Sequence, residues 1–214
     1  MKKFLRFVAL VLVFLLGATL ILSGCDKQDN EDDGREKLVP PEYSEETIEE
    51  YIKLGSYKNM TVTAGSESST LNVILWRKIV EGAEVIKYPE DAITYYKEIS
   101  TRGYSNLAKD GKMSYEELLN ALGVSEEDIL AEAEEYVKSD LVQIAIIKAE
   151  GLKLTEDEKT RLFDKYVDKF VSSYGYTEEY VKENLTEEIY DTMQYDKMME
   201  FLMLNNKVVT VTEG

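Results

Sequence analysis

The 214-residue chain contains no histidine and a single cysteine, Cys25. Without an imidazole, a Ser-His-Asp or Cys-His nucleophile, a histidine-ligated zinc and a histidine pH switch are all excluded by residue inventory. The lone cysteine forbids an internal disulfide. Cations are scarce as well, since 25 Lys and Arg face 42 Asp and Glu, a formal charge of −17. Affinity for nucleic acid comes from clustered cations that release counterions, so this acidic surface argues against such a partner. Glycine-rich phosphate loops are absent, and no segment repeats at a solenoid period.

What is present begins with an export segment. Lys2, Lys3 and Arg6 precede an apolar run, Phe7 to Leu22, that ends in Leu22-Ser23-Gly24-Cys25. This looks like a bacterial lipobox, in which a small-residue cleavage site abuts a cysteine that is lipidated and becomes the mature N-terminus. A plain transmembrane anchor fits less well, because the run is shorter than the roughly 20 apolar residues a span needs and stops at a cleavage motif. Loss of residues 1–24 removes three cations and no acids, leaving 22 basic against 42 acidic residues and a charge of −20. Attachment to the cell membrane is therefore expected through the diacyl and palmitate chains on Cys25, not through surface charge. The expected location is extracytoplasmic, and Cys25 is then unavailable for catalysis.

The mature chain divides by composition. Residues 25–43 are rich in Asp, Glu, Lys and Gln, carry Pro40-Pro41, and have only Leu38 and Val39 as aliphatics, the pattern of a disordered tether. Residues 44–214 carry helical signals. Capping boxes open helices at Ser114, Ser125 and Thr155, each with an acid three residues on. The patterns predict helices over Ser69–Glu81, Glu90 to about Lys109, Glu126–Glu150, Glu156–Tyr174, Thr177–Leu185 and Glu187–Asn205. The half Leu141–Ile147 is apolar on most sides and should be buried. In the following helix Leu162, Phe163, Tyr166, Val167, Phe170, Val171 and Tyr174 form one apolar stripe. Only Met60–Thr63 and Val208–Thr212 alternate like strands, so the expected fold class is all-α with short β segments.

Candidate chemistry is sparse. Asn106 to Glu117 resembles an EF-hand loop in its second half, but its third ligand position is Ala108, which has no side-chain oxygen. A helix end, a turn at Asp110-Gly111 and a capped helix at Ser114 explain the segment better, and no metal site or cofactor is expected. The adjacent acid pairs Glu49-Glu50, Glu126-Glu127, Glu134-Glu135 and Glu187-Glu188 lie at helix starts or on polar faces, which the helix dipole and solvation explain. The glycosylation patterns Asn59-Met-Thr61 and Asn184-Leu-Thr186 mean little behind a lipobox. Fifteen Tyr against six Phe point to rings that tolerate a half-wet surface. Four of seven Met lie between Met193 and Met203. Met adapts to irregular partners, although Met198, Phe201, Leu202 and Leu204 also read as ordinary core.

Several segments resemble one family in order along the chain. Tyr51-Ile-Lys-Leu-Gly-Ser-Tyr-Lys-Asn-Met-Thr-Val62 resembles the segment before the isomerase domain of trigger-factor-like proteins. Leu75-Trp-Arg-Lys-Ile-Val80, Val85-Ile-Lys-Tyr-Pro-Glu90, Asp140 to Gly151, Leu154-Thr-Glu-Asp-Glu158 and Tyr195 to Leu202 with Lys207-Val208 are similar to the C-terminal chaperone domain, a SurA-like helical cradle. Twelve residues between Val62 and Leu75 leave no room for the FK506-binding-protein-type isomerase domain. The resemblance implies an ATP-independent holdase for unfolded, newly exported polypeptides, with no catalytic residues. It leaves homodimerisation open. Expected peptide contacts are Tyr95, Tyr96, Tyr104, Met113, Tyr166, Tyr176 and Met199. Two other readings stand beside it: a prolyl-isomerase-related foldase, and an adaptor that docks one dedicated protein.

Overall fold

The computed structural model describes residues 38–64 and 71–210. The expected export segment, Cys25 and the expected tether up to residue 37 lie outside the described residues, as do 211–214 at the end of the second expected strand. Helices dominate what is described, so the chain is all-α in class, with two small two-stranded ribbons. The helices are α1 (Leu71–Gly82), α2 (Glu90–Asp110), α3 (Tyr115–Leu122), α4 (Glu126–Glu150), α5 (Glu156–Tyr174), α6 (Glu178–Asn184) and α7 (Thr186–Leu204). A 3-10 helix, Glu45–Glu50, and the strands β1 (Ile52–Lys53), β2 (Thr61–Ala64), β3 (Glu84–Val85) and β4 (Lys207–Thr210) complete the described chain.

The capping boxes set the helix starts where the sequence places them. Ser114 Oγ accepts from Glu117 N while Glu117 Oε2 accepts from Ser114 N, and Thr155 and Glu158 repeat the exchange. At Ser125 the reciprocal acid is Asp128, whose carboxylate accepts from the Ser125 N–H at 2.8 Å. Each exchange satisfies backbone donors that have no partner inside the helix. Glu117, the last candidate ligand of the EF-hand-like stretch, is thus engaged as a cap.

The described chain forms two compact units. One comprises Glu90–Glu134, that is α2, α3 and the start of α4; the other comprises Glu42–Pro89 together with the residues from Glu135 onward. In the first, Tyr104 and Ala108 of α2 enclose a core with Leu118, Leu119 and Ile129, flanked by Leu107, Tyr115 and Val124. These positions recur at three- and four-residue spacings, so one stripe of each helix faces inward.

In the second unit, α5 packs on both α6 and α7, and α1 packs on α7 and on β2. Leu141, Val142, Ala145, Ile146 and Ile147 are buried, as the apolar run in the second half of α4 requires. Strand β2 runs parallel to β4 with Val62 opposite Val208, and β1 pairs antiparallel with β3. The β1–β3 pair and the 3-10 helix carry too few residues for a periodic signal, and the sequence reading missed them. Asn206 fastens the parallel ribbon: its amide N–H donates to Tyr57 O and Leu202 O, while its Oδ1 accepts from Met60 N.

The folded body begins earlier than composition suggests. The Tyr43 hydroxyl donates to Asp140 at 3.2 Å, so this residue belongs to the folded body and not to the expected 25–43 tether. Beyond it, the exposed acids of the 3-10 helix reach lysines elsewhere in the same unit, Glu49 with Lys148 at 2.7 Å and Glu45 with Lys153 at 2.9 Å. Ile48 is buried between them in sequence, so the segment is held by one apolar anchor and peripheral ion pairs.

Gly55 marks the tightest backbone approach in this unit. A Cβ there would fall on the carbonyl of Gly82 at the end of α1, whereas a Cβ on Gly82 would meet nothing within 4 Å. Gly55→Ala should therefore destabilise by about 1–3 kcal/mol, the usual cost of overpacking, while Gly82→Ala should be neutral or slightly stabilising. Urea unfolding of the two variants checks the contrast.

Candidate polypeptide-binding surface

The structure divides the seven expected contact residues. Tyr104, 2% exposed, sits inside the core of the first unit, and Met199 and Tyr166 are buried in the second. These three are core residues, for which a helical stripe of aromatics and Met is the ordinary signature. Tyr95 and Tyr96 lie half-buried on α2 with ring centroids 5.1 Å apart and nearly perpendicular. Met113 is 39% exposed just before the Ser114 cap. Tyr176 is half-buried in the turn between α5 and α6.

Tyr166 shows why an aromatic on the right face is still not available. Its hydroxyl donates to Asp196 at 2.9 Å, and Lys169 bonds the same carboxylate at 3.0 Å while lying 5.2 Å from the ring centroid. Burial, and then the hydrogen bond to Asp196, push its pKa up to about 12. Lysines similarly lie over Tyr51, Tyr57 and Tyr190.

Tyr176 belongs to a continuous aromatic series. Phe170 and Tyr174 have ring centroids 5.5 Å apart, Tyr174 and Tyr176 6.1 Å, and Tyr176 and Tyr180 5.1 Å. Gly175 makes this possible. Its φ of +74° ends α5 in the left-handed conformation that glycine adopts without strain, and Thr177 then caps α6, so the chain reverses between two tyrosines and brings their rings side by side. The series begins at buried Phe170 and reaches solvent at Tyr174, which is 44% exposed. Rings spaced at 5–6 Å with tilted planes are favourable contacts for one another and offer apolar edges to a further chain.

The sequence reading assigned Tyr174 to the α5 core stripe and left Tyr180 out. The signal was the run Tyr174-Gly-Tyr-Thr177 across a helix stop and restart, with Tyr180 four residues beyond Tyr176. It also missed further large apolar groups at the surface, among them Leu122 at 45% and Leu130 at 39% in the first unit and Val73, Ile86 and Leu204, the last at 80%, in the second. Leu130 was legible, because it falls one residue off the Ile129–Ala133–Val137 stripe. Leu204, read as core, is the last residue of α7, where Asn205 ends the helix, and it is exposed.

Among the described residues no group of three or more Cys, Asp or Glu could hold a metal ion, and no helix is long and apolar enough to cross a membrane. The carboxylate with the largest depression is Glu158, held down to about 2 by a hydrogen bond from Lys197 at 2.8 Å and by its capping bond from Thr155 N. It serves the start of α5, not chemistry.

No family model and no solved structure matches the chain. Among curated proteins it is similar to "Trigger factor" of Pelotomaculum thermopropionicum, 32% identical over 147 residues, which is 64% of this chain and 32% of that protein. The chain thus spans about a third of the length of that curated relative.

Because the Glu158 carboxyl titrates lower in the fold than its ordinary 4.5, its stabilising effect is complete above that ordinary value and is lost as pH falls from there toward about 2. Glu158→Gln should lower the Tm in the neutral region, leave it least changed near pH 2, and so flatten the acid limb between them. Thermal unfolding followed by circular dichroism between pH 2 and 7 measures it. The match supports a trigger-factor-like relationship for an all-α chain.

Proposed function

We propose that this protein is a membrane-tethered, extracytoplasmic chaperone that holds non-native segments of exported polypeptides without ATP. One observation carries the reading: around cores that are fully formed, both units leave large apolar side chains at the surface, chief among them the Phe170–Tyr174–Tyr176–Tyr180 series. Such groups cost stability to expose and are favoured where another chain covers them. The trigger-factor relationship adds a chaperone of like sequence. The lipobox at Leu22–Cys25 supports the location, and among the described residues no helix is long and apolar enough to cross a membrane.

The mechanism needs no titrating group. A client's apolar segment displaces water from the tyrosine edges while their hydroxyls stay hydrated, so contact is favourable without committing the client to one pose. Small separate patches give weak, exchangeable binding, and the tether raises the local concentration of patches where clients emerge. A client is thereby kept from its neighbours yet free to leave and fold.

The full chain should slow aggregation of a chemically unfolded model protein, measured by light scattering at several-fold excess, with no effect of added ATP. Tyr174→Ser with Tyr176→Ser should weaken that protection about fivefold or more, from the loss of two aromatic contacts worth about 0.5–1.5 kcal/mol each. No delay by the unaltered chain would sink the proposal. Separately, Cys25→Ala should move the protein from the membrane fraction to the soluble fraction of fractionated cells.

A further inference from the structure

The segment at the start of the second unit is attached chiefly by charge. Between Lys37 and Lys53 the chain has five Glu and no Lys or Arg. Four of them fall in the 3-10 helix, Glu45–Glu50, where Ile48 is the one apolar side chain and is 1% exposed. Runs of 3-10 helix beyond three or four residues are uncommon, because their hydrogen bonds are poorly aligned. This run has six residues, so its conformation is imposed by what it lies against.

What it lies against is cationic. Glu45 meets Lys153 at 2.9 Å, Glu49 meets Lys148 at 2.7 Å and Glu50 meets Lys87 at 3.5 Å. Lys148 also donates to Glu46 O. In a chain with 25 Lys and Arg against 42 acids, three lysines gathered along one short segment reverse the local balance. The far end of the segment is fixed, since Tyr51 O accepts from Ile86 N at 2.8 Å and β1 then pairs with β3. The near end is held through the Tyr43 hydroxyl on Asp140. Exposed ion pairs hold weakly, so Tyr43–Glu50 opens, with Tyr51 as its hinge, more readily than the helices of the unit.

We infer that the seat of Ile48 is a further polypeptide-binding site, which takes an aliphatic side chain flanked by Asp or Glu and which the chain's own strap, Tyr43–Glu50, fills until such a segment displaces it. The inference rests on the chaperone reading for the source of the incoming segment. The strap itself shows what the seat accepts. An acidic segment replaces Glu45 and Glu49 at Lys153 and Lys148 and leaves the local charge balance as it was. A cationic segment sets like charge against those lysines, within the roughly 8 Å over which charges act at physiological salt. Only the open fraction of the protein can bind, so the strap lowers the apparent affinity by that fraction and keeps the contact exchangeable.

The test uses the full chain in detergent and a fluorescein-labelled peptide with the sequence of residues 42–51. Two further peptides carry Ser in place of the Ile, or Lys in place of every Glu. By fluorescence anisotropy at about 0.05 M salt, the parent peptide should bind more tightly than either. Glu45→Gln with Glu49→Gln in the protein loosens the strap and should tighten binding of the parent peptide about two- to tenfold, the effect of two exposed ion pairs. Lys148→Gln with Lys153→Gln should abolish the preference for the Glu peptide over the Lys peptide. Glu179→Gln with Glu183→Gln, exposed acids elsewhere in the unit, should change neither. In hydrogen exchange, the amides of residues 45–50 should exchange faster than those of Leu141–Ile147, and faster again when the parent peptide is added. Binding that leaves the strap's exchange unchanged would place the peptide elsewhere and overturn the inference. Equal binding of the Glu and Lys peptides, or no binding of the parent peptide, would overturn it too. The aggregation delay of an unfolded model protein judges the chaperone reading separately. Should a substituted chain fail to fold by circular dichroism, the three peptides and the exchange measurement on the unaltered chain decide alone.

Discussion

Burial of one apolar stripe per helix is the constraint on which the structure depends. With no disulfide available and no metal cluster among the described residues, side-chain burial has to offset the conformational entropy of ordering the chain. The second half of α4 supplies the densest example, where Leu141, Val142, Ala145, Ile146 and Ile147 are all buried within seven residues of sequence. Removing a large aliphatic side chain from water contributes about 1.5–3 kcal/mol, so a few such positions rival the net stability of a whole domain. Everything at the surface, including the tyrosine series, is positioned by helices whose inward faces are fixed this way.

Local backbone chemistry sharpens what burial leaves imprecise. Hydrophobic faces determine which side of a helix turns inward, but they say little about where the helix begins. Ser114, Ser125 and Thr155 settle that, each through a carboxylate three residues on that returns to the cap N–H. Gly175 settles the end of α5 and, by reversing the chain at once, turns a helix terminus into the place where Tyr174 and Tyr176 meet.

These same features explain what could be read from the sequence. Helices α4 and α5 were legible to the residue, because cap, apolar period and terminal glycine agree over Glu126–Glu150 and Glu156–Tyr174. The two-residue strands β1 and β3 were not, since so short a pairing depends on Gly55 lying against Gly82, a contact distant in sequence. The surface was harder still. Helical spacing places Tyr166 and Tyr174 on one stripe, yet Tyr166 is enclosed and bonded to Asp196 while Tyr174 reaches solvent. The difference comes from α7, which supplies Asp196, and from the turn at Gly175, and no periodicity contains either.

Charge completes the argument, because exposed apolar groups are as much a hazard as a tool. A protein that leaves Leu122, Leu130, Tyr174 and Leu204 at its surface invites its own association. Much of its small stock of lysine is engaged with its own carboxylates or rings, as at Lys148, Lys153, Lys169, Lys182 and Lys197, so the excess acids dominate the outer surface. Exposed pairs of this kind add little stability individually. Their larger consequence is collective: a surface of one sign disfavours the close approach of like copies, while an uncharged or cationic chain meets no such barrier. The shortage of cations with which the sequence begins thus works against closure of these exposed apolar groups on a second copy.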